Sequence, residues 1–286
     1  MMNRRHLLKN AALFSGALLL DKFSPAFAFN KSAYKIGACD WSLGKSSNLS
    51  AFDVAKQIRL QGVQVNMGSL GDNMRLRDKN LQQQYLQKSK ETGVSIAGLA
   101  LAELNNIPYK SDARTDEWVA DSIDVAANIG AKVILLAFFY ANDLRNDDKG
   151  KKAVIEKLKK VMPKAEKQNI ILGIESYMTA EEHIDIIEKV GSDNLKVYYD
   201  FRNAADAGND IYKEIKLLGS KYICECHCKE NGYLLGKGDL DFRKIRTTLD
   251  EIGFSGWLQI EGAVPKDVSV VDAYVQNLAF MKSVFG

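Results

Sequence analysis

Ile170-Ile171-Leu172-Gly173-Ile174-Glu175-Ser176 is followed by the helical stretch Ala180–Val190 and then by Leu195-Lys196-Val197-Tyr198-Tyr199-Asp200-Phe201. Both flanking runs are short, apolar and rich in β-branched or aromatic residues, as fully buried strands are, while the stretch between them has helical periodicity. A strand, a helix and a second buried strand make a parallel βαβ unit. Each strand also ends in a carboxylate, Glu175 and Asp200.

Outward from this unit the pattern repeats. Strand-like runs precede it at Tyr34–Trp41, Val63–Met67, Val94–Leu101 and Lys132–Phe139, and follow it at Tyr222–Lys229 and Gly256–Gly262. Helical segments lie near Ser50–Leu60, Lys79–Thr92, Thr115–Ile129, Lys151–Gln168, Ile211–Leu218, Phe242–Ile252 and Val268–Val284. Gln61-Gly62-Val63, Thr92-Gly93-Val94 and Ile129-Gly130-Ala131 carry glycine where helix C-caps belong. Eight βα units without a long linker specify an α/β fold, a single (β/α)8 TIM barrel, with its active site at the carboxyl ends of the strands. An open doubly wound sheet would need a Gly-rich phosphate turn after its first strand, and Asp40-Trp41-Ser42-Leu43-Gly44 is not one.

The chain has 286 residues, 46% hydrophobic and 26% charged, which excludes a disordered, collagenous or disulfide-scaffold protein. Its formal charge of +3 is local. Residues 1–28 hold Arg4, Arg5, Lys9 and Lys22 against Asp21, which accounts for all of it and leaves equal numbers of bases and acids beyond. A nucleic-acid partner therefore has no electrostatic support. The same segment has a basic n-region, an apolar stretch Ala11–Leu20 and Ser24-Pro25-Ala26-Phe27-Ala28. It reads as an export signal cleaved near Ala28, with residues 29–286 forming the barrel. The h-region is too short for a stable membrane anchor. The paired arginines resemble a twin-arginine signal, so the expected location is periplasmic, with the twin-arginine machinery as a transient partner.

Strands five to eight end in Glu175, Asp200, His227 and Glu261. A carboxylate at the end of a buried strand costs several kcal/mol to desolvate unless a cation or donors compensate it. Four such acceptors converging at the barrel mouth suit one divalent ion, Mn2+ first, with Zn2+, Co2+ or Mg2+ as alternatives. Alternation along strand seven sets Cys224, Cys226 and Cys228 on one face and Glu225, His227 and Lys229 on the other, which opposes a zinc cluster of the cysteines with His227 and leaves Glu225 in need of a partner.

Glu175, Asp200, His227-Cys228-Lys229-Glu230 and Glu261 together resemble the Glu, Asp, His-x-Lys-Asp/Glu and Glu signatures of the xylose isomerase-like TIM barrel superfamily, in its sugar phosphate isomerase/epimerase branch. The resemblance implies that Glu175, Asp200, His227 and Glu261 hold one metal. It also implies that Glu175 and Glu261 act as an acid/base pair on a keto-sugar whose carbonyl the metal polarises. A lyase, dehydratase or keto-glycoside-cleaving enzyme would use the same residues, and a non-catalytic carbohydrate-binding barrel is the remote alternative. Lys229, Asn203, Asn66, Tyr140 and Trp41 are the candidate substrate contacts, with Lys229 otherwise a rim lysine paired with Glu230 or Glu225. Asn203 and Tyr233 stand where ketose epimerases of the superfamily often carry His and Arg. The sequence leaves the oligomeric state and the sugar open.

Overall fold

The computed structural model of the protein describes residues 33–286. The expected export segment 1–28 lies outside them. Strands β1 (Tyr34–Cys39), β2 (Gly62–Asn66), β3 (Ser95–Leu101), β4 (Val133–Phe138), β5 (Ile171–Ser176), β6 (Leu195–Asp200), β7 (Ile223–Cys228) and β8 (Gly256–Ile260) pair in parallel in that order. The barrel closes where Tyr34 to Ala38 of β1 align with Gly256 to Ile260 of β8. Around it run α1 (Ala51–Ile58), α2 (Lys79–Thr92), α3 (Arg114–Ile129), α4 (Asp148–Gln168), α5 (Ala180–Val190), α6 (Phe201–Asp206), α7 (Ile211–Tyr222), α8 (Phe242–Glu251) and α9 (Val270–Phe285). Among the described residues no helix is long and apolar enough to cross a membrane.

The connections follow from local chemistry. The Asp78, Asp210 and Asp241 side chains accept from the first free backbone N–H groups of α2, α7 and α8, and Thr179 with Glu182 forms a capping box on α5. Gly93 and Gly130 end α2 and α3 in the left-handed region, as their place in the sequence implies. Gly62 does something else. Arg59 takes the left-handed cap of α1, and Gly62 instead opens β2 where the Trp257 ring lies 2.6 Å from the position a Cβ would occupy.

Alternate strand residues face outward onto the helices, and this layer holds most of the apolar core, including Ile134, Leu136, Phe138, Ile174, Cys226 and Cys228. The barrel interior is divided. On one side Ala100, Val133, Leu135, Ala137, Phe139 and Tyr198 form a small apolar cluster, while Cys39, Gln64, Glu225, His227 and Gln259 are buried on the other strands.

Two expectations need correction. Between β6 and β7 the register steps from Val197↔Ile223 to Tyr198↔Glu225, so β7 carries one extra residue, Cys224. That bulge turns Cys224 toward the interior cluster, against Gly173 and Tyr198, rather than leaving it with Cys226 and Cys228. The four cysteines are free thiols. The second correction is the short helix α6, which starts directly at Asp200 and precedes the expected helix of the sixth unit.

Candidate metal centre and substrate cavity

Glu175 and Asp200 end β5 and β6, His227 lies one residue from the end of β7, and Glu261 follows β8 directly. One ligand atom of each of these four residues lies within 4.8 Å of the others. His227 is fully buried, and its Nδ1 faces Glu175 Oε1 at 3.0 Å, Glu261 Oε2 at 3.5 Å and Asp200 Oδ2 at 3.9 Å. The Tyr198 ring, 4.6 Å away between centroids, fixes the imidazole from the side.

Asp200 divides its two oxygens. Oδ1 accepts the backbone N–H groups of Arg202 and Asn203 and so caps α6, whereas buried Oδ2 has no hydrogen-bond partner. Burial, with repulsion from Glu261 and Glu175, pushes the Asp200 carboxyl up to about 7 against the pull of Lys229 and His227. For Glu261 burial alone would raise the pKa, but His227 and Lys229 outweigh it and hold the group below the usual carboxylate range. Three carboxylates beside one lysine leave an excess of negative charge that a divalent cation would balance. The orphaned Asp200 oxygen and the mixed carboxylate–imidazole set both fit such an ion.

The candidate substrate residues surround the same point. Trp41 Nε1 donates to Glu261 Oε1 at 2.8 Å, and Lys229 Nζ donates to Glu261 Oε2 at 3.1 Å and lies 3.8 Å from Asp200 Oδ2. Lys229 thus engages Glu261 and Asp200 rather than Glu230 or Glu225. Asn203 bridges, donating to Glu175 Oε1 and accepting from Lys229, both at 3.4 Å. Above them opens a cavity of about 360 Å³ whose lining includes Trp41, Asn66, Asn203, Lys229 and the exposed Tyr140. Asn66 Nδ2 donates to Ser46 Oγ at 3.1 Å. All five sequence-derived contacts therefore meet at one cavity.

Other groups were not evident from sequence. Phe139 and Tyr177 meet edge to face at 4.7 Å on the cavity wall, and the Arg145 guanidinium lies 4.6 Å from the outer Tyr177 ring. Gln64, wholly buried below the cluster, accepts from Cys39 at 3.2 Å and sits 2.9 Å from His227 Nε2. Its only sequence signal is a polar side chain in the middle of an apolar strand. Glu225 finds the Tyr198 hydroxyl at 3.1 Å, and burial raises its carboxyl to about 8 against that hydrogen bond.

Residues 52–284 match the sequence profile described as "Xylose isomerase-like TIM barrel". The chain belongs to this family. Among relatives of this xylose isomerase-like barrel, a D-psicose 3-epimerase of Enterocloster bolteae is 30% identical over 158 residues, 48% of this chain and 50% of that protein. An uncharacterized protein of Methanocaldococcus jannaschii is 24% identical over 172 residues, 54% of this chain and 58% of the relative. The chain thus spans about half the length of the curated relatives it matches. The solved D-psicose 3-epimerase of Clostridium cellulolyticum H10, with D-tagatose, superposes with a TM-score of 0.75 at 15% identity, covering 88% of this chain and 99% of the other. The 3-keto-D-glucoside 4-epimerase of E. coli gives 0.69 at 16% identity over 87% and 99%. These two likenesses establish the shared barrel.

Proposed function

We propose that the protein is a metal-dependent isomerase or epimerase acting on an unphosphorylated keto-sugar. The observation that carries this reading is the convergence of Glu175, Asp200, His227 and Glu261, of which Glu175 and Glu261 line a polar and aromatic cavity. A divalent ion held there, Mn2+ first and Zn2+, Co2+ or Mg2+ otherwise, would polarise neighbouring substrate oxygens and stabilise an enediolate.

The chain supplies the rest. Glu175 and Glu261 are the acid/base pair: one takes the proton beside the carbonyl, and the other returns it, to the same carbon in an epimerase or to its neighbour in an isomerase. Trp41 and Lys229 fix both oxygens of Glu261, so that its charge is presented in one orientation. Asn203 and Lys229 stand beside Glu175 and Glu261, where a substrate hydroxyl or oxyanion would find donors. Asn66 and Tyr140 at the rim offer further polar contacts, and Trp41 an apolar face.

Lys229 is the one cationic residue in the lining, among the described residues, and its ammonium is engaged by Glu261 and Asp200. A phosphate monoester would meet no free cation there, which supports the unphosphorylated substrate. Residues 1–28 support export by the twin-arginine route and action in the periplasm.

The test is metal analysis of the purified protein with proton exchange of keto-sugars in D2O, with and without chelator. Chelator-sensitive deuterium incorporation is expected. Absence of both metal and exchange on every keto-sugar would sink the proposal, while metal-dependent consumption of a keto-glycoside without exchange would replace it with the lyase reading.

A further inference from the structure

The imidazole of His227 has two nitrogens in different company. Nδ1 faces three carboxylates, whereas Nε2 lies 2.9 Å from Gln64 Oε1 and 3.3 Å from Cys39 Sγ. An amide oxygen cannot donate. At 2.9 Å from a bare Nε2 it would set two lone pairs against each other, so the hydrogen belongs on Nε2 and is donated to Gln64. In this orientation the same oxygen also accepts the Cys39 S–H at 3.2 Å, so it has two donors. The NH2 itself has no partner in the barrel interior. With the opposite amide orientation, Nε2 would be the acceptor and Nδ1 would carry its hydrogen toward the carboxylates.

We infer that Gln64 is a positioning residue for the metal centre: with Cys39 it fixes the His227 tautomer that leaves the Nδ1 lone pair free for the cation. This rests on the proposal that Glu175, Asp200, His227 and Glu261 hold a metal. The partner of a metal-bound histidine is often a carboxylate, which also raises ligand basicity. Here a neutral amide does the orienting without adding a fourth negative charge to a site that already has three carboxylates around one lysine. Gln64 is not among the residues that line the cavity, so its effect passes through His227.

The probe is Zn2+ alone, bound to the full chain labelled with 15N-histidine. Long-range 1H–15N spectra should give a metal-shifted Nδ1 and a protonated, slowly exchanging Nε2 for His227. Gln64→Leu should weaken Zn2+ binding about 10- to 100-fold and release the protection of Nε2–H, and Gln64→Glu, which keeps an acceptor, should restore the tautomer. Zinc on Nε2 in the wild-type protein would overturn the inference without any variant. So would a Gln64→Leu protein with unchanged affinity and spectrum. Failure to take up Zn2+ at all would overturn the metal site together with the role of Gln64, whereas uptake through the wrong nitrogen would overturn Gln64 alone.

Discussion

Glu261 is held at both oxygens: the Trp41 indole donates to Oε1 at 2.8 Å and the Lys229 ammonium to Oε2 at 3.1 Å. Neither donor is near Glu261 in the chain, since Trp41 follows β1 and Lys229 follows β7, so barrel closure between β8 and its two neighbours brings the three together. Glu261→Gln is expected to abolish deuterium exchange while leaving the fold intact. Trp41→Phe keeps the ring but removes a hydrogen bond to a charged group, usually ~1.5–3 kcal/mol, which corresponds to a loss of roughly ten- to a hundredfold in exchange rate if it acts in the transition state. Wild-type exchange in Glu261→Gln would refute the acid/base assignment.

Three carboxylates within reach of one another, two buried and Glu261 half-buried, should make the protein more stable with a cation than without. At a metal concentration a hundred times Kd the gain is ~2.7 kcal/mol, a rise of about 5–10 °C in melting temperature for a domain of this size. Asp200→Asn should remove most of that rise, because it takes away a charged ligand whose buried Oδ2 has no hydrogen-bond partner. Melting curves that do not respond to Mn2+, Zn2+, Co2+ or Mg2+ would count against the site.

His183 predicts a pH dependence away from the metal centre. It is buried between Ser176 Oγ and the Thr179 carbonyl, each 2.9 Å from a ring nitrogen, and burial lowers its pKa from 6.5 to about 4 despite the Thr179 hydrogen bond and Glu182. Between those values the unfolded chain binds the proton and the folded chain does not, so stability falls as pH drops from 6.5 toward 4. The loss should approach, on the order of, 3 kcal/mol at its limit. Urea unfolding across this range should show a shallower slope for His183→Gln; an identical slope would exclude His183 as its source.

Gly173 lies opposite the β7 bulge. An added Cβ would stand 2.8 Å from Cys224 Sγ and 3.1 Å from Tyr198 Cβ. Gly173→Ala should therefore cost ~1–3 kcal/mol by overpacking, and Cys224→Ala in the same chain should recover part of it. Additive effects in the double variant would place Cys224 elsewhere.

Much of this molecule could be read from sequence because it depends on strand periodicity and on what ends each strand. The apolar runs marked the eight strands, and Glu175, Asp200, His227 and Glu261 stood out because an ionisable group at the end of such a run demands compensation. The bulge at Cys224 was hidden, since Cys-Glu-Cys-His-Cys alternates evenly and nothing local says where an extra residue is accommodated. Helix α6 is too short to have a period, although Asp200 was already its cap. Gln64 and Cys39 gained their meaning only when barrel closure brought β1 and β2 beside His227.

The divided interior of the barrel separates two kinds of change. Leu135, Ala137 and Phe139 of the β4 side shape one wall of the cavity and offer no ligand atom to the cluster, although Ala137 pairs in register with Glu175, while Gln64 and Glu261 are both linked to His227. Under the proposed function, substitutions in the first group would change the wall a substrate meets while leaving the ligand set in place. Substitutions in the second are tied to one another through shared protons and charges. The shape of the cavity can thus change by single steps along β4, whereas a change at any member of the linked set is felt by the others.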